Sequence, residues 1–235
     1  IFTTVCDQMR RGSERMPPSE TPVFCFNVPA TWQTDSALQL YMDELERLGD
    51  FLVRLGGRHP DKTTLVHTLH RCIEPPSPKQ PATAPNGIPV ALTGGPRTRL
   101  DSSLCDLVED LGATIVLDAS EQGLLGRPPS FDASLIDTDP VGALADAYLR
   151  RLPGISRRPN TPLHTWLGER VTESGARGVV LLRYLWCDLW HGEVARIRDN
   201  LSVPLLDIDL DGEDPIPRNR TRIEAFIEGL RLCRP

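Results

Sequence analysis

No C-x-x-C pair occurs in the sequence. Six cysteines are present, Cys6, Cys25, Cys72, Cys105, Cys187 and Cys233, and the closest two are 19 positions apart. That spacing excludes zinc-ribbon and local ferredoxin-type sites, so any metal site has to be assembled from distant positions. A secreted disulfide scaffold does not suit 235 residues with an ordinary apolar content, and reduced thiols in a cytoplasmic protein are expected. No apolar run approaches the roughly 20 residues that cross a bilayer, so no membrane association is expected. Positive charge is in deficit, with 26 Lys and Arg against 32 Asp and Glu, which argues against nucleic acid as a partner. There is no Gly-Lys-Ser/Thr loop and no G-x-G-x-x-G, so a nucleotide-binding flavodoxin-like domain finds no supporting motif. No repeat of fixed short period is present. The opening Ile1-Phe2-Thr3-Thr4-Val5 has no basic segment ahead of an apolar stretch, unlike a signal peptide. It reads as a strand entered partway, and residues upstream of it are expected.

What is present alternates between two periods. Apolar runs at residues 1–5 and 23–28 predict strands. Leu38, Tyr41, Leu45, Leu48, Leu52 and Leu55 recur at spacings of three and four, which predicts a helix capped by Thr34 or Asp35 and ended by Gly56-Gly57. Residues 60–73 predict another helix, and the Pro-, Ala- and Thr-rich stretch 75–87 a linker. Beyond it, strands are predicted at 88–92, 113–117, 179–185 and 203–208. Helices are predicted at 100–111, 140–151, 162–174, 190–200 and around 223–230. Short apolar strands alternating with helices imply an α/β fold with a parallel sheet covered on both faces. The linker divides the chain into a partial N-terminal α/β unit, residues 1–78, and a C-terminal α/β unit, residues 86–235.

Two cysteines share a position in this scheme. Cys6 and Cys187 each follow a strand and precede a helical turn. Ligands of open α/β sheets settle at such strand ends, and helix starts favour the metal-binding thiolate. Spacing alone leaves open that both are inert buried thiols. Trp186 and Trp190 flank Cys187, either as a shield against water or as plain core. Thr93-Gly94-Gly95-Pro96 is either a phosphate-binding turn at a helix start or an ordinary strand-to-helix turn. Glu193 is a weak candidate for a general base, against a simple role in helix-terminus electrostatics. Cys25, Cys105 and Cys233 read as structural. His67, His70 and Cys72 read as an exposed helical face. Asp207, Asp209, Asp211 and Gly212 imitate the start of a calcium loop, but its twelfth position is Arg218 rather than Glu.

The residues around the two cysteines carry a resemblance. Thr3-Thr4-Val5-Cys6-Asp7-Gln8-Met9-Arg10-Arg11 resembles the second cysteine motif of the 2-hydroxyacyl-CoA dehydratase and benzoyl-CoA reductase subunits, the family of the 2-hydroxyglutaryl-CoA dehydratase D-component. Tyr184-Leu185-Trp186-Cys187-Asp188-Leu189-Trp190-His191-Gly192-Glu193 resembles its third. Asn219-Arg220-Thr221-Arg222-Ile223-Glu224-Ala225-Phe226 is similar to its C-terminal helix, and Leu92-Thr93-Gly94-Gly95 fits its second α/β unit.

The resemblance implies two flavodoxin- or Rossmann-like units and a [4Fe–4S] cluster on three cysteines. Cys6 and Cys187 would be two of them, with the third upstream of Ile1. Thr93 and Gly94 become weak candidates for contact with CoA or substrate. It further implies a related second subunit, an ATP-dependent iron–sulfur activator and an acyl-CoA substrate that loses water after one-electron transfer to its thioester. Reduction of an aromatic acyl-CoA, a double-cubane cluster, or a metal-free scaffold that kept the fold stay open beside it.

Overall fold

The computed structural model describes residues 22–72, 87–128 and 130–233. Its helices and strands in chain order are α1 (Asp35–Arg54), α2 (Lys62–Arg71), β1 (Ile88–Gly94), α3 (Arg99–Asp110), β2 (Ala113–Ser120), α4 (Ala133–Thr138), α5 (Pro140–Ala145), α6 (Thr161–Ser174), β3 (Val179–Tyr184), α7 (Asp188–Asn200), β4 (Leu205–Leu210) and α8 (Ile216–Leu232). A 3-10 turn at Leu124–Gly126 and a π-helical turn at Asp146–Arg151 complete the set.

Two compact units result. The described part of the first is residues 22–72 with Phe131–Arg150, and that of the second is residues 87–128, Ser130 and residues 151–233. The return of Phe131–Arg150 to the first unit is not included in a division at residues 78 and 86. Nothing in the local periodicity signals it, because α4 and α5 are only a turn or two long each.

In the first unit, α1 begins where the Thr34 hydroxyl accepts the Ala37 N–H at 3.2 Å. Its inner face, Ala37 and Tyr41, meets Ala145 and Leu149, while Leu69 of α2 packs with Phe131, Ile136, Ala143 and Ala147. The predicted strand at 23–28 is not one: these residues join no ladder. Their aromatic side chains serve α1 instead, Phe24 meeting Phe51 at a tilt and Phe26 meeting Tyr41 edge to face, each pair of ring centroids 5.2 Å apart. The Asn27 N–H is satisfied by Glu44, at 3.0 Å. Hence the described part of this unit shows no parallel sheet. The predicted strand at 1–5 lies outside the described residues.

The second unit is an α/β layer structure around one four-stranded, all-parallel sheet in the order β2-β1-β3-β4. β1 and β3 are central, and nearly every residue of Ile88–Gly94 and Val179–Tyr184 is buried, as a sheet covered on both faces requires. On one face Val90, Leu92, Val180, Leu182 and Ile208 pack against Leu104 and Leu107 of α3 and Ile223 and Ile227 of α8. On the other, Ala91, Val179 and Leu181 pack against Leu163, Leu167 and Val171 of α6 and Trp190 and Ile197 of α7. Three strand ends lie beyond their predicted limits, β1 running to Gly94, β2 to Ser120 and β4 to Leu210. Polar residues such as Asp118 and Asp209 close those runs to periodicity, although the ladder continues through them.

Candidate functional site at the carboxyl edge of the sheet

The strand order fixes where a ligand belongs. From β1 the chain moves to β2 on one side and later to β3 on the other, so the order reverses between β1 and β3. Open parallel sheets bind ligands at that reversal, outside the carboxyl ends of the strands. Here those ends are Gly94 and Tyr184.

At the β1 end the backbones close up tightly. Gly94 has φ 123°, and a Cβ there would stand 1.9 Å from the Leu182 carbonyl oxygen, so only glycine fits. The Gly95 N–H donates to that same carbonyl at 3.0 Å, and Pro96 has no N–H to offer. Thr93 is fully buried, and its hydroxyl donates to the Ala119 carbonyl at 3.1 Å. The turn is thus committed to holding β1, β2 and β3 in register. The helix start behind it is satisfied as well: Thr98 and Asp101 form a reciprocal capping box on α3. Buried Asp101 also accepts the Tyr184 hydroxyl at 2.8 Å, linking α3 to the end of β3. Burial, then the bond to Asp101 and its charge, push the Tyr184 phenol above its usual range.

At the β3 end, Cys187 occupies the N-cap of α7. Its N–H donates to the Tyr184 carbonyl and its carbonyl accepts from the His191 N–H, each at 3.0 Å, while its side chain makes no capping bond. The sulfur is half-buried against the core on the α6–α7 face. Leu185, Trp186 and Leu189 around it are exposed, Trp186 by 65%. Of the two flanking tryptophans, Trp186 therefore faces solvent, stacked on Tyr184 with centroids 6.5 Å apart. Trp190 is core, and its indole N–H donates to Glu121 at 2.9 Å. One residue before the end of β3, buried Arg183 grips Asp207 through two hydrogen bonds of 2.9 and 3.0 Å and reaches Asp209 at 2.8 Å. Burial opposes its charge, but the two carboxylates hold it protonated even more firmly than usual.

Glu193 stands apart from this rim. Its carboxylate is buried between α6 and α7 and meets His164 Nε2 at 3.0 Å. The acidic sequence that imitates a calcium loop is dispersed, Asp207 and Asp209 lying on β4 against Arg183 while Asp211 binds Arg218. Elsewhere, His70 pairs with Asp137 at 2.7 Å and Cys72 is exposed. Cys105 packs against the core with its thiol pushed up by burial, although Arg97 beside it acts the other way.

Sequence reasoning missed Glu121, Asp101 and His164. Glu121 immediately follows β2, the position where functional side chains gather, and it was hidden because the predicted strand stopped at Leu117. Asp101 and His164 carry no sequence signal beyond an ordinary helix N-terminus.

Cys187 suits a thiolate ligand, with a sulfur at the rim that caps nothing. Among the described residues no group of three His, Cys, Asp or Glu side chains could hold a metal ion, and Cys6 lies outside them. A complete cluster site is therefore not formed by the described residues. None of the described helices is long and apolar enough to cross a membrane.

Residues 58–230 match the family model described as 2-hydroxyglutaryl-CoA dehydratase, D-component. No curated protein matches the chain significantly.

Proposed function

The chain belongs to the 2-hydroxyglutaryl-CoA dehydratase D-component family, and on that premise we propose that it is the iron–sulfur subunit of an enzyme that dehydrates a 2-hydroxyacyl-CoA. Cys187 is one thiolate ligand of its [4Fe–4S] cluster and Cys6 another. The observation that carries this reading is the position of Cys187: within the matched stretch, at the start of α7, beside the reversal between β1 and β3.

When bound, the cluster supplies one-electron chemistry at the thioester. The chain's own residues do the rest. Gly94, by admitting the backbone of β3, keeps the two strand ends adjacent. Trp190 and the apolar side chains of the α6–α7 face form a dry bed beneath the Cys187 sulfur, which tunes a metal site by excluding water. Exposed Leu185, Trp186 and Leu189 neighbour Cys187 in sequence and suit contact with the related second subunit. An ATP-dependent iron–sulfur activator is the expected electron donor, and the cytoplasm the expected compartment.

The test is anaerobic purification of the full-length protein with its partner, followed by iron and sulfide analysis. A brown protein with iron and sulfide in equal amounts is expected. Cys187→Ala should lose most of the iron and keep its circular dichroism. A colourless, iron-free full-length protein would overturn the reading. It would favour a metal-free scaffold instead. Assays with 2-hydroxyacyl-CoA and aromatic acyl-CoA substrates then separate dehydration from ring reduction.

A further inference from the structure

We propose that Glu121 is the proton-exchanging carboxyl at the strand reversal between β1 and β3, and that it protonates the hydroxyl leaving the acyl-CoA substrate; this rests on the dehydratase reading above. Glu121 follows the last residue of β2, and its own N–H donates to the Gly94 carbonyl at 3.0 Å. From there its side chain passes over the end of β1 to accept the Trp190 indole N–H on α7, at 2.9 Å. The carboxyl therefore meets the first turn of α7 at Trp190, three residues after Cys187. Gly95 lies beside that ring: a Cβ there would stand 3.5 Å from it, in ordinary van der Waals contact.

The chemistry of the group suits proton transfer. Burial raises its pKa above the ordinary glutamate range, and only the Trp190 hydrogen bond opposes the shift. No cation among the described residues pairs with it. Arg97, on the turn after β1, is taken by Asp118 at 2.7 Å and by Gln122 at 3.1 Å. Arg158, in the segment before α6, donates to the carbonyls of Ile155 and Arg157. Asp188 and His191, on the first turn of α7, make no bond to it. One oxygen is held by the indole, and the other takes no hydrogen bond from the described residues. Of the buried acids nearby, Glu193 is bound to His164, and Asp101 accepts three donors on one oxygen while its other oxygen takes none.

The step balances without a further reagent. One C–O bond and one C–H bond of the 2-hydroxyacyl group break, and one C=C bond and one water form, with no net change in oxidation state. The Glu121 proton leaves with the hydroxyl as water, and the proton released from the adjacent carbon restores the carboxyl.

Two measurements on the full-length chain test this. The first follows the Trp190 indole N–H signal by NMR against pH, assigned through its loss in Trp190→Phe. A titration with a midpoint above the ordinary glutamate range, absent in Glu121→Gln, is expected; a flat signal, or a midpoint within that range, overturns the proposal. The second is turnover by the anaerobic complex. Glu121→Gln keeps an acceptor for Trp190 and should retain its iron and KM while kcat falls about 100-fold or more. A wild-type complex that dehydrates, beside an equally active Glu121→Gln, overturns the role of Glu121 alone. A wild-type complex with no dehydration overturns the functional reading and this role together.

Discussion

His164 Nε2 of α6 and Glu193 Oε2 of α7 lie 3.0 Å apart, with only 8% of each side chain exposed. The pair joins the two helices that cover the cysteine-bearing face of the sheet. Removing one partner strands a buried polar group, which costs about 1–3 kcal/mol. Glu193→Ala and His164→Ala are each expected to lose that much in urea denaturation, and the double variant less than their sum. Glu193→Gln keeps the hydrogen bond and should lose less. Strict additivity would show that the pair does not couple α6 to α7.

Cys187 separates stability from ligation. It stands at an N-cap where no side chain bonds the first turn of α7, a place that serine fills better than cysteine. Cys187→Ser is expected to be as stable as the wild type, or more stable by up to about 1 kcal/mol, while losing most of its iron. Thermal melting and iron analysis on one sample check both. A variant that loses its iron only by unfolding would remove the case for a ligand.

The second unit was largely legible in the sequence, because a parallel sheet buried on both faces writes itself as short apolar runs such as Ile88–Leu92 and Val179–Leu182. In the first unit the two helices α1 and α2 were legible, but the run at 23–28 was not. Phe24 and Phe26 have the composition of a strand, yet their rings pack on Phe51 and Tyr41 of α1, a choice made by tertiary contact. The site divides in the same way. The place of Cys187 after β3 and at the start of α7 was legible because a cysteine between a strand and a helix is a local pattern. Glu121 and Tyr184 act through partners 69 and 83 positions away, Trp190 and Asp101, and no local window contains both ends of such a contact.

Arg183 gives a sharper test of β4. Its guanidinium holds two carboxylates together on the edge of the sheet, and its side chain is only 7% exposed. Arg183→Met leaves Asp207 and Asp209 to repel each other. The expected loss is roughly 2–4 kcal/mol, below the full cost of opening a buried pair because Asp209 is partly in water. Calcium at millimolar concentration should leave the wild-type Tm unchanged, since both aspartates belong to Arg183. A calcium-dependent rise in Tm would show that they are free to bind a cation.

Tyr184 ties a pH dependence to the rim. Its phenol donates to Asp101 at 2.8 Å, and its pKa is raised by burial and by that carboxylate. A group whose pKa is higher in the folded state stabilises the fold at pH values below its unfolded pKa, about 10 for tyrosine, and loses that contribution as pH rises through the folded value. Wild-type stability should therefore fall above about pH 10, relative to Tyr184→Phe at the same pH. Near neutral pH the variant should be less stable by about 1.5–3 kcal/mol, the range for a hydrogen bond to a charged group. Urea midpoints measured from about pH 8 to 11 give the curve. If the two proteins keep a constant difference across that range, the phenol is not held by Asp101, and the connection between the start of α3 and the end of β3 does not exist in solution.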